Sequence, residues 1–197
     1  MIEKAIEYAK VIFVSDSTGH DFYHTMRVYH TAVQIAQTEG ADRQIVGLAA
    51  LLHDVDDRKL SPETCEEKDR ARAFLRRNGV NGRQAEQIIQ IISEISFSAG
   101  YGTPSTLEGR CVQDADRLDA IGAIGVARAF AYGGSQGRAM YDPDGNDDST
   151  TIAHFYQKLL RLKDLMTTET GRNLATKRDA YLRGFLKEFL AEWESAD

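Results

Sequence analysis

An imidazole and a carboxylate stand side by side, as His53 and Asp54, at the end of an almost wholly apolar run, residues 45–52. Bringing an ionisable pair into apolar surroundings costs free energy unless something compensates for the lost hydration. A divalent metal ion is one such compensation, because neutral imidazole and ionised carboxylate are both ligands for it. The alternative is a helix C-terminus at which both side chains cap the helix and face water. The dipeptide alone leaves both interpretations open.

A second group of candidate residues lies on a helix predicted from about residue 20 to residue 38. His20, His24 and Arg27 follow one another at i, i+4 and i+7, so they share one helix face. Two imidazoles beside a guanidinium differ from the Lys and Glu residues of an ordinary exposed face. Simple exposure of these polar residues is the alternative interpretation.

Another candidate carboxylate, Asp116, has small and apolar neighbours in Ala115 and Leu118. An anion in such surroundings indicates a buried carboxylate held by a metal ion, and exposure to solvent is the alternative. For Asp114, on the same helix, we predict exposure to solvent.

Helices are predicted to position all of these side chains, because the apolar residues recur with helical spacing almost everywhere. The predicted helices cover approximately residues 2–14, 20–38, 42–52, 61–77, 83–97, 107–121, 122–132, 151–165 and 171–193. No run alternates apolar and polar residues as a strand would. We therefore predict an all-α fold: a single globular bundle of about eight to ten helices, forming one domain over residues 1–197, with a mobile loop at 133–149.

The composition limits the possible classes of function. The chain has 42% hydrophobic and 27% charged residues, like an ordinary globular protein, and a net charge of −6. This charge argues against general nucleic-acid binding, whereas a small anionic substrate needs only a local cluster of Arg and Lys. Cys65 and Cys111 have no CxxC partner, and we find neither a bilayer-spanning run nor a signal-peptide h-region. We expect a cytoplasmic protein with free thiols and without nucleic-acid or membrane partners.

Several segments of the chain resemble the HD-domain metal-dependent phosphohydrolase superfamily. Residues 24–28, His-Thr-Met-Arg-Val, are similar to the helix around the first metal ligand of that superfamily. Residues 50–54, Ala-Leu-Leu-His-Asp, are similar to its second segment, and residues 114–119, Asp-Ala-Asp-Arg-Leu-Asp, to its last. Residues 141–144, Tyr-Asp-Pro-Asp, and residues 154–159, His-Phe-Tyr-Gln-Lys-Leu, resemble the small single-domain bacterial branch.

The resemblance implies an all-α protein that binds a divalent cation and hydrolyses phosphate esters or anhydrides, commonly in nucleotides. The ligands would be the residues that match the pattern of the superfamily: His24, His53, Asp54 and Asp116. Such a set suits Mn²⁺, Mg²⁺, Fe²⁺, Co²⁺ or Ni²⁺ and leaves positions open for water and a phosphate oxygen. Dinuclear members carry further histidines between the HD dipeptide and the last Asp. This sequence has none there, so we predict one ion.

Asp57, three residues after Asp54, is the candidate to orient or deprotonate the attacking water, and a solvent-facing carboxylate is the alternative. Asp54 is a candidate catalytic residue as well as a ligand. Some relatives that cleave guanosine tetraphosphate carry Glu-Asp just after the HD dipeptide, whereas residues 57–58 read Asp-Arg here, which argues against that activity. The predicted substrate-binding residues are Arg27, Lys59, His20 and His154.

The sequence therefore predicts a metal-dependent phosphohydrolase for a small phosphorylated metabolite, with a nucleotide as the preferred substrate. The bond cleaved would be a pyrophosphate bond or a terminal phosphomonoester. The alternative is a metal-stabilised helical module that senses a nucleotide without turning it over. The last predicted helix has enough apolar surface for either core or interface, so a homodimer is also open.

Overall fold

The structure of the chain, a computed structural model, describes residues 1–13, 21–57, 63–95 and 102–194. These residues form nine α-helices and one 3₁₀ helix, and the described part contains no strand, so the all-α prediction is confirmed. The α-helices are Ile2–Ile12 (α1), Phe22–Glu39 (α2), Arg43–Leu52 (α3), Asp69–Arg77 (α4), Gly82–Ile95 (α5), Leu107–Asp119 (α6), Gly122–Ser135 (α7), Thr151–Gln157 (α8) and Glu169–Trp193 (α9). The 3₁₀ helix is Leu159–Leu165.

Contacts between Cα atoms divide the chain into two compact units, residues 1–116 and 117–197. In the first unit, α3 packs against α1, α2 and α5, so it is the central helix of that unit. Every residue from Ile45 to Leu52 is buried, as expected for an apolar run without a polar face. Asp42 begins this helix by accepting hydrogen bonds from the N–H groups of Gln44 and Ile45, at 2.8 and 3.2 Å.

The packing of α3 depends on a residue without a side chain, Gly47. A Cβ atom at this position would lie 3.0 Å from Cδ1 of Ile2 in α1 and 3.1 Å from Cε2 of Tyr29 in α2. Both separations are shorter than ordinary van der Waals contacts between carbon atoms. Glycine therefore allows α1 and α2 to approach α3 closely, and α3 is the helix that His53 caps.

Helix α4 begins later than the sequence predicted. It starts at Asp69, and the described residues before it, Glu63 to Lys68, form turns rather than the predicted helix. The predicted cap at Ser61 lies outside the described residues. Lys68 stands in the N-cap position with a left-handed φ of 56° and no side-chain cap. The N–H groups of the first turn of α4 are bound instead by a carboxylate from another segment, Asp56.

In the second unit, α9 packs against α7 and against the 3₁₀ helix. Aromatic rings follow one another at centroid distances of 5.4–6.3 Å along this packing: Phe130, Phe155, Phe185, Phe189, Tyr141 and Trp193. Helix α7 continues to Ser135, and residues 136–150 are irregular. The mobility predicted for the loop at 133–149 stays a prediction. None of the described helices has the length and apolarity needed to cross a bilayer.

Candidate metal centre

His24 lies in the first turn of α2, and its side chain is 0% exposed. The turn is fixed by Asp21, the N-cap residue, whose carboxylate accepts a hydrogen bond from the backbone N–H of His24 at 2.7 Å. The interpretation of His24 as an ordinary exposed residue is therefore wrong. Arg27 follows one turn later and is half-buried. His20, predicted to share this face, lies outside the described residues.

His53 is the C-cap residue of α3, but its side chain is only 5% exposed and so does not face water. Its Nδ1–H donates a hydrogen bond to the carbonyl oxygen of Ala50 at 2.7 Å. This bond assigns the proton of the neutral ring to Nδ1 and leaves the lone pair on Nε2. Asp54 follows directly, with a side chain that is 14% exposed.

Asp116 lies near the C-terminal end of α6, and its side chain is 25% exposed. Asp116 is therefore half-buried, which lies between the buried and the solvent-exposed carboxylate that the sequence left open. Asp114 is completely buried, so its predicted exposure is wrong. Residues 111–115 are all buried. Because this part of α6 has no exposed face, the spacing of polar and apolar residues could not show which of its side chains are buried.

The structure brings the four predicted ligands together. Nε2 of His24 lies 3.5 Å from Oδ2 of Asp54 and 3.5 Å from Oδ1 of Asp116. Nε2 of His53 lies 3.1 Å from Oδ2 of Asp54. The ligand atoms of His24, His53 and Asp54 all lie within 4.8 Å of one another. Two ligands at right angles, each about 2.1 Å from one ion, would be about 3 Å apart, so these separations suit a shared cation.

The electrostatic surroundings of His53 favour a positive charge. Burial lowers the pKa of His53, but the charges of Asp54 and Asp116 and the bond to Ala50 outweigh burial and raise the pKa to about 9. The C-terminal ends of α3 and α6 add the negative ends of two helix dipoles. A hydrogen bond to the side chain of Asp54, 3.1 Å from Nε2, also raises the pKa of His53.

The HD dipeptide continues into a four-residue turn, Asp54 to Asp57, which is closed by a hydrogen bond from the N–H of Asp57 to the carbonyl oxygen of Asp54 at 2.9 Å. Asp57, the candidate base, ends this turn and is half-buried. Asp56 is 1% exposed, and sequence reasoning missed it. Nothing in the local pattern distinguished Asp56 from its two acidic neighbours. The missed cap Asp21, in contrast, stands three residues before His24 at a predicted helix start, which is a recognisable signal.

The remaining predicted substrate residues are dispersed along the chain. Lys59 lies outside the described residues. His154 lies in α8, in the second unit, and is half-buried. Burial, followed by the charges of Lys158 and Arg138, lowers the pKa of His154, so its imidazole is neutral at pH 7. In that state it can donate one hydrogen bond to a substrate but supplies no charge.

The all-helical fold and the clustered imidazoles and carboxylates agree with the family comparison. The model of the HD domain family matches residues 21–121, which include all four predicted ligands, and the chain belongs to this family. It is similar to YpgQ of Bacillus subtilis, with 41% identity over 194 residues that cover 94% of this chain and 90% of that protein.

Solved structures of relatives agree with this membership. One is described as an HD-superfamily hydrolase from Bacillus thuringiensis, which is 41% identical, with a TM-score of 0.83 and coverage of 100% of this chain and 97% of that one. Another is Bacillus subtilis YpgQ in complex with ADP, which is 39% identical, with a TM-score of 0.83 and coverage of 98% and 97%. The predicted family is therefore confirmed.

Proposed function

We propose that this chain is a metal-dependent phosphohydrolase that cleaves a pyrophosphate bond or a terminal phosphomonoester of a nucleotide. One observation carries the proposal. Two imidazoles and two carboxylates from three helical segments converge, with 3.1–3.5 Å between the closest atoms. The ion would be held by His24, His53, Asp54 and Asp116.

The state of these side chains fits a divalent cation. The bond from Nδ1–H of His53 to Ala50 turns Nε2, the nitrogen with the lone pair, towards Asp54. Carboxylate oxygens next to imidazole nitrogens form a ligand set for Mn²⁺, Fe²⁺, Co²⁺ or Ni²⁺, and also for Mg²⁺ when water completes the coordination. The two carboxylates also raise the pKa of His53 to about 9, so in the metal-free protein Nε2 carries a proton. A cation bound at Nε2 would take the place of that proton.

When bound, such a cation supplies Lewis-acid chemistry, because it polarises the phosphoryl group and lowers the pKa of water. The residues of the chain supply the remaining functions. Asp57 orients the attacking water and accepts its proton as the water oxygen bonds to phosphorus and the bond from phosphorus to the leaving oxygen breaks. Arg27, whose guanidinium can bind two phosphate oxygens at once, stabilises the charge on the phosphoryl group. The further predicted substrate contacts are His20, Lys59 and His154.

A nucleotide is the preferred substrate for two reasons. YpgQ of Bacillus subtilis, a relative of this chain, was crystallised in complex with ADP. The HD superfamily that the sequence resembles acts commonly on nucleotides. Both reasons favour a substrate that combines a base with a chain of phosphates, and neither identifies the base or the bond cleaved.

The test is to measure phosphate and pyrophosphate release from a panel of ribonucleotides and deoxyribonucleotides in the presence of Mn²⁺. We expect turnover of at least one nucleotide, and its loss in His53→Ala. Release from no member of the panel, together with tight nucleotide binding measured by calorimetry, would replace the enzyme with the nucleotide-sensing module. Neither release nor binding would remove the nucleotide from the proposal.

A further inference from the structure

Asp56 is a buried carboxylate to which the proposed reaction assigns no role. The residue is 1% exposed. Its Oδ1 accepts a hydrogen bond from the N–H of Arg70 at 3.1 Å, and its Oδ2 accepts one from the N–H of Ala71 at 2.9 Å. A buried carboxylate is unfavourable unless it is hydrogen-bonded, and these two bonds at the positive end of α4 meet that requirement.

Helix α4 depends on this carboxylate because it has no cap of its own. Lys68, in the N-cap position, makes no side-chain cap bond. Among the described residues it is the one non-glycine residue with a positive φ, 56°. A left-handed backbone is unfavourable for lysine and persists where the surrounding structure holds it. Asp56 thus caps α4 from 14 and 15 residues upstream.

The position of Asp56 within its turn connects this cap to the metal centre. Asp56 is the third residue of the turn that the N–H of Asp57 closes on the carbonyl of Asp54 at 2.9 Å. The first residue of the turn is a proposed ligand, and the last is the proposed base. Anchoring the third residue therefore restricts the backbone that carries both functional side chains.

We infer that Asp56 is a positioning residue, which holds Asp54 and Asp57 in their productive orientation by docking the turn onto the start of α4. The expected effect of Asp56 on turnover depends on the proposed function. Its expected effect on metal binding depends only on Asp54 being a ligand. The inference thus predicts a loss of both metal affinity and turnover from a residue that contacts neither the ion nor the substrate.

The first variant is Asp56→Asn, which keeps the size of the side chain but directs an amide NH₂ against one of the two backbone N–H groups. We expect kcat at saturating Mn²⁺ to fall by about tenfold or more, with KM within about threefold of the unchanged chain. We expect the dissociation constant of Mn²⁺, measured by calorimetry, to rise by about tenfold. A purely structural residue would lower the melting temperature and leave these constants unchanged.

Two matched controls separate position from stability. Ala73→Gly weakens the same helix without removing the carboxylate. Asp42→Ala removes the carboxylate whose Oδ1 caps α3 through two hydrogen bonds. Both controls are expected to lower the melting temperature while kcat and Mn²⁺ affinity stay within about twofold. The inference is overturned if Asp56→Asn leaves both constants within twofold, or if Ala73→Gly lowers them as much.

Failure of the proposed function has a different signature. If the unchanged chain hydrolyses no nucleotide, the phosphohydrolase proposal fails, and Mn²⁺ affinity alone decides the role of Asp56. If Asp56→Asn does not fold, Asp56→Ser, which keeps a capping oxygen, is measured by the same criteria. A tenfold weaker affinity in either variant supports the inference, and an unchanged affinity overturns it.

Discussion

Two shielded carboxylates in the first unit of the chain, Asp54 and Asp116, have different neighbours from two in the second unit, Asp119 and Asp179. In the first unit, Asp54 and Asp116 lie next to imidazoles in the candidate metal centre, at 3.1–3.5 Å. In the second unit, Oδ2 of Asp119 lies 2.7 Å from Nη1 of Arg128. Oδ2 of Asp179 similarly lies 2.8 Å from Nε of Arg183. All of these carboxylates are largely shielded from water, so their neighbours distinguish them better than their burial does.

The comparison shows how the role of a buried carboxylate follows from its partner. A guanidinium is always charged, so it neutralises an aspartate permanently and needs no further ligand. A deprotonated imidazole carries no charge, so two neutral imidazoles and two carboxylates form a group with a formal excess of negative charge. The raised pKa of His53 is the response of the metal-free protein to that excess. The first arrangement stabilises the fold, and the second favours a cation from solution.

The strongest test of the comparison removes a ligand. We predict that His53→Ala and Asp116→Ala each lower the metal content from about one ion per chain to below about a tenth of an ion, because an incomplete set of ligands does not hold the ion through purification. Elemental analysis by mass spectrometry measures this directly. His30→Ala, which removes an exposed imidazole from the same helix as His24, is the control and should keep its metal. Full metal content in both ligand variants would refute the assignment.

The second test separates binding from chemistry within the metal centre. Asp57→Asn keeps the size of the side chain but removes its ability to accept a proton, so we expect kcat to fall by about 10²–10³-fold. Metal content should stay at the level of the unchanged chain. Steady-state kinetics on the best nucleotide of the panel, together with elemental analysis, checks both parts. Unchanged turnover would remove Asp57 from the mechanism.

The third test is removal of the metal. At an ion concentration of about 100 times its dissociation constant, a ligand that binds only the folded state adds about 2.7 kcal/mol to the free energy of unfolding. We therefore expect chelation to reduce the stability of the unchanged chain by about that amount in urea titrations. His53→Ala should have the same stability with and without chelator. Equal sensitivity of both proteins to chelator would place the stabilising ion elsewhere.

The smallest expected effect concerns the second unit. Arg128→Ala removes the guanidinium beside Asp119, whose side chain is 5% exposed, and we expect a loss of about 2 kcal/mol in the free energy of unfolding. Arg183→Ala, at a side chain that is 58% exposed, should cost less than about 1 kcal/mol. Metal content should not change in either variant. A loss of metal in Arg128→Ala would contradict the distinction between the two kinds of carboxylate.

Much of this organisation could be predicted from the sequence, for a physical reason. The residues from Ile45 to Leu52 have no polar face, so they had to form a buried helix, and His53 and Asp54 had to stand at its end. Most predicted helices agree with the observed ones to within a few residues, since apolar spacing directly reports packed faces. The four proposed ligands were identified by their match to the HD pattern, and the structure brings these four side chains close together.

The errors arose where distant contacts decide local structure. Asp114 was expected to face solvent, but α6 is buried over five consecutive residues around it. The start of α4 was placed too early because Ser61-Pro62 is a strong local signal for a helix start. The observed start at Asp69 is stabilised by Asp56, a partner that precedes the helix by more than ten residues. Local patterns cannot show such a long-range cap.

The close packing at Gly47 has a consequence for laboratory evolution of this scaffold. A methyl group added there would require Ile2 and Tyr29 to shift by a few tenths of an ångström, and any larger side chain would separate α3, the helix capped by His53, from its neighbours. Selection for new substrates can therefore accept changes around the pocket rim more readily than at this inconspicuous interior position. In a saturation library sorted for retained manganese, codon 47 should therefore encode only the smallest residues, glycine and alanine.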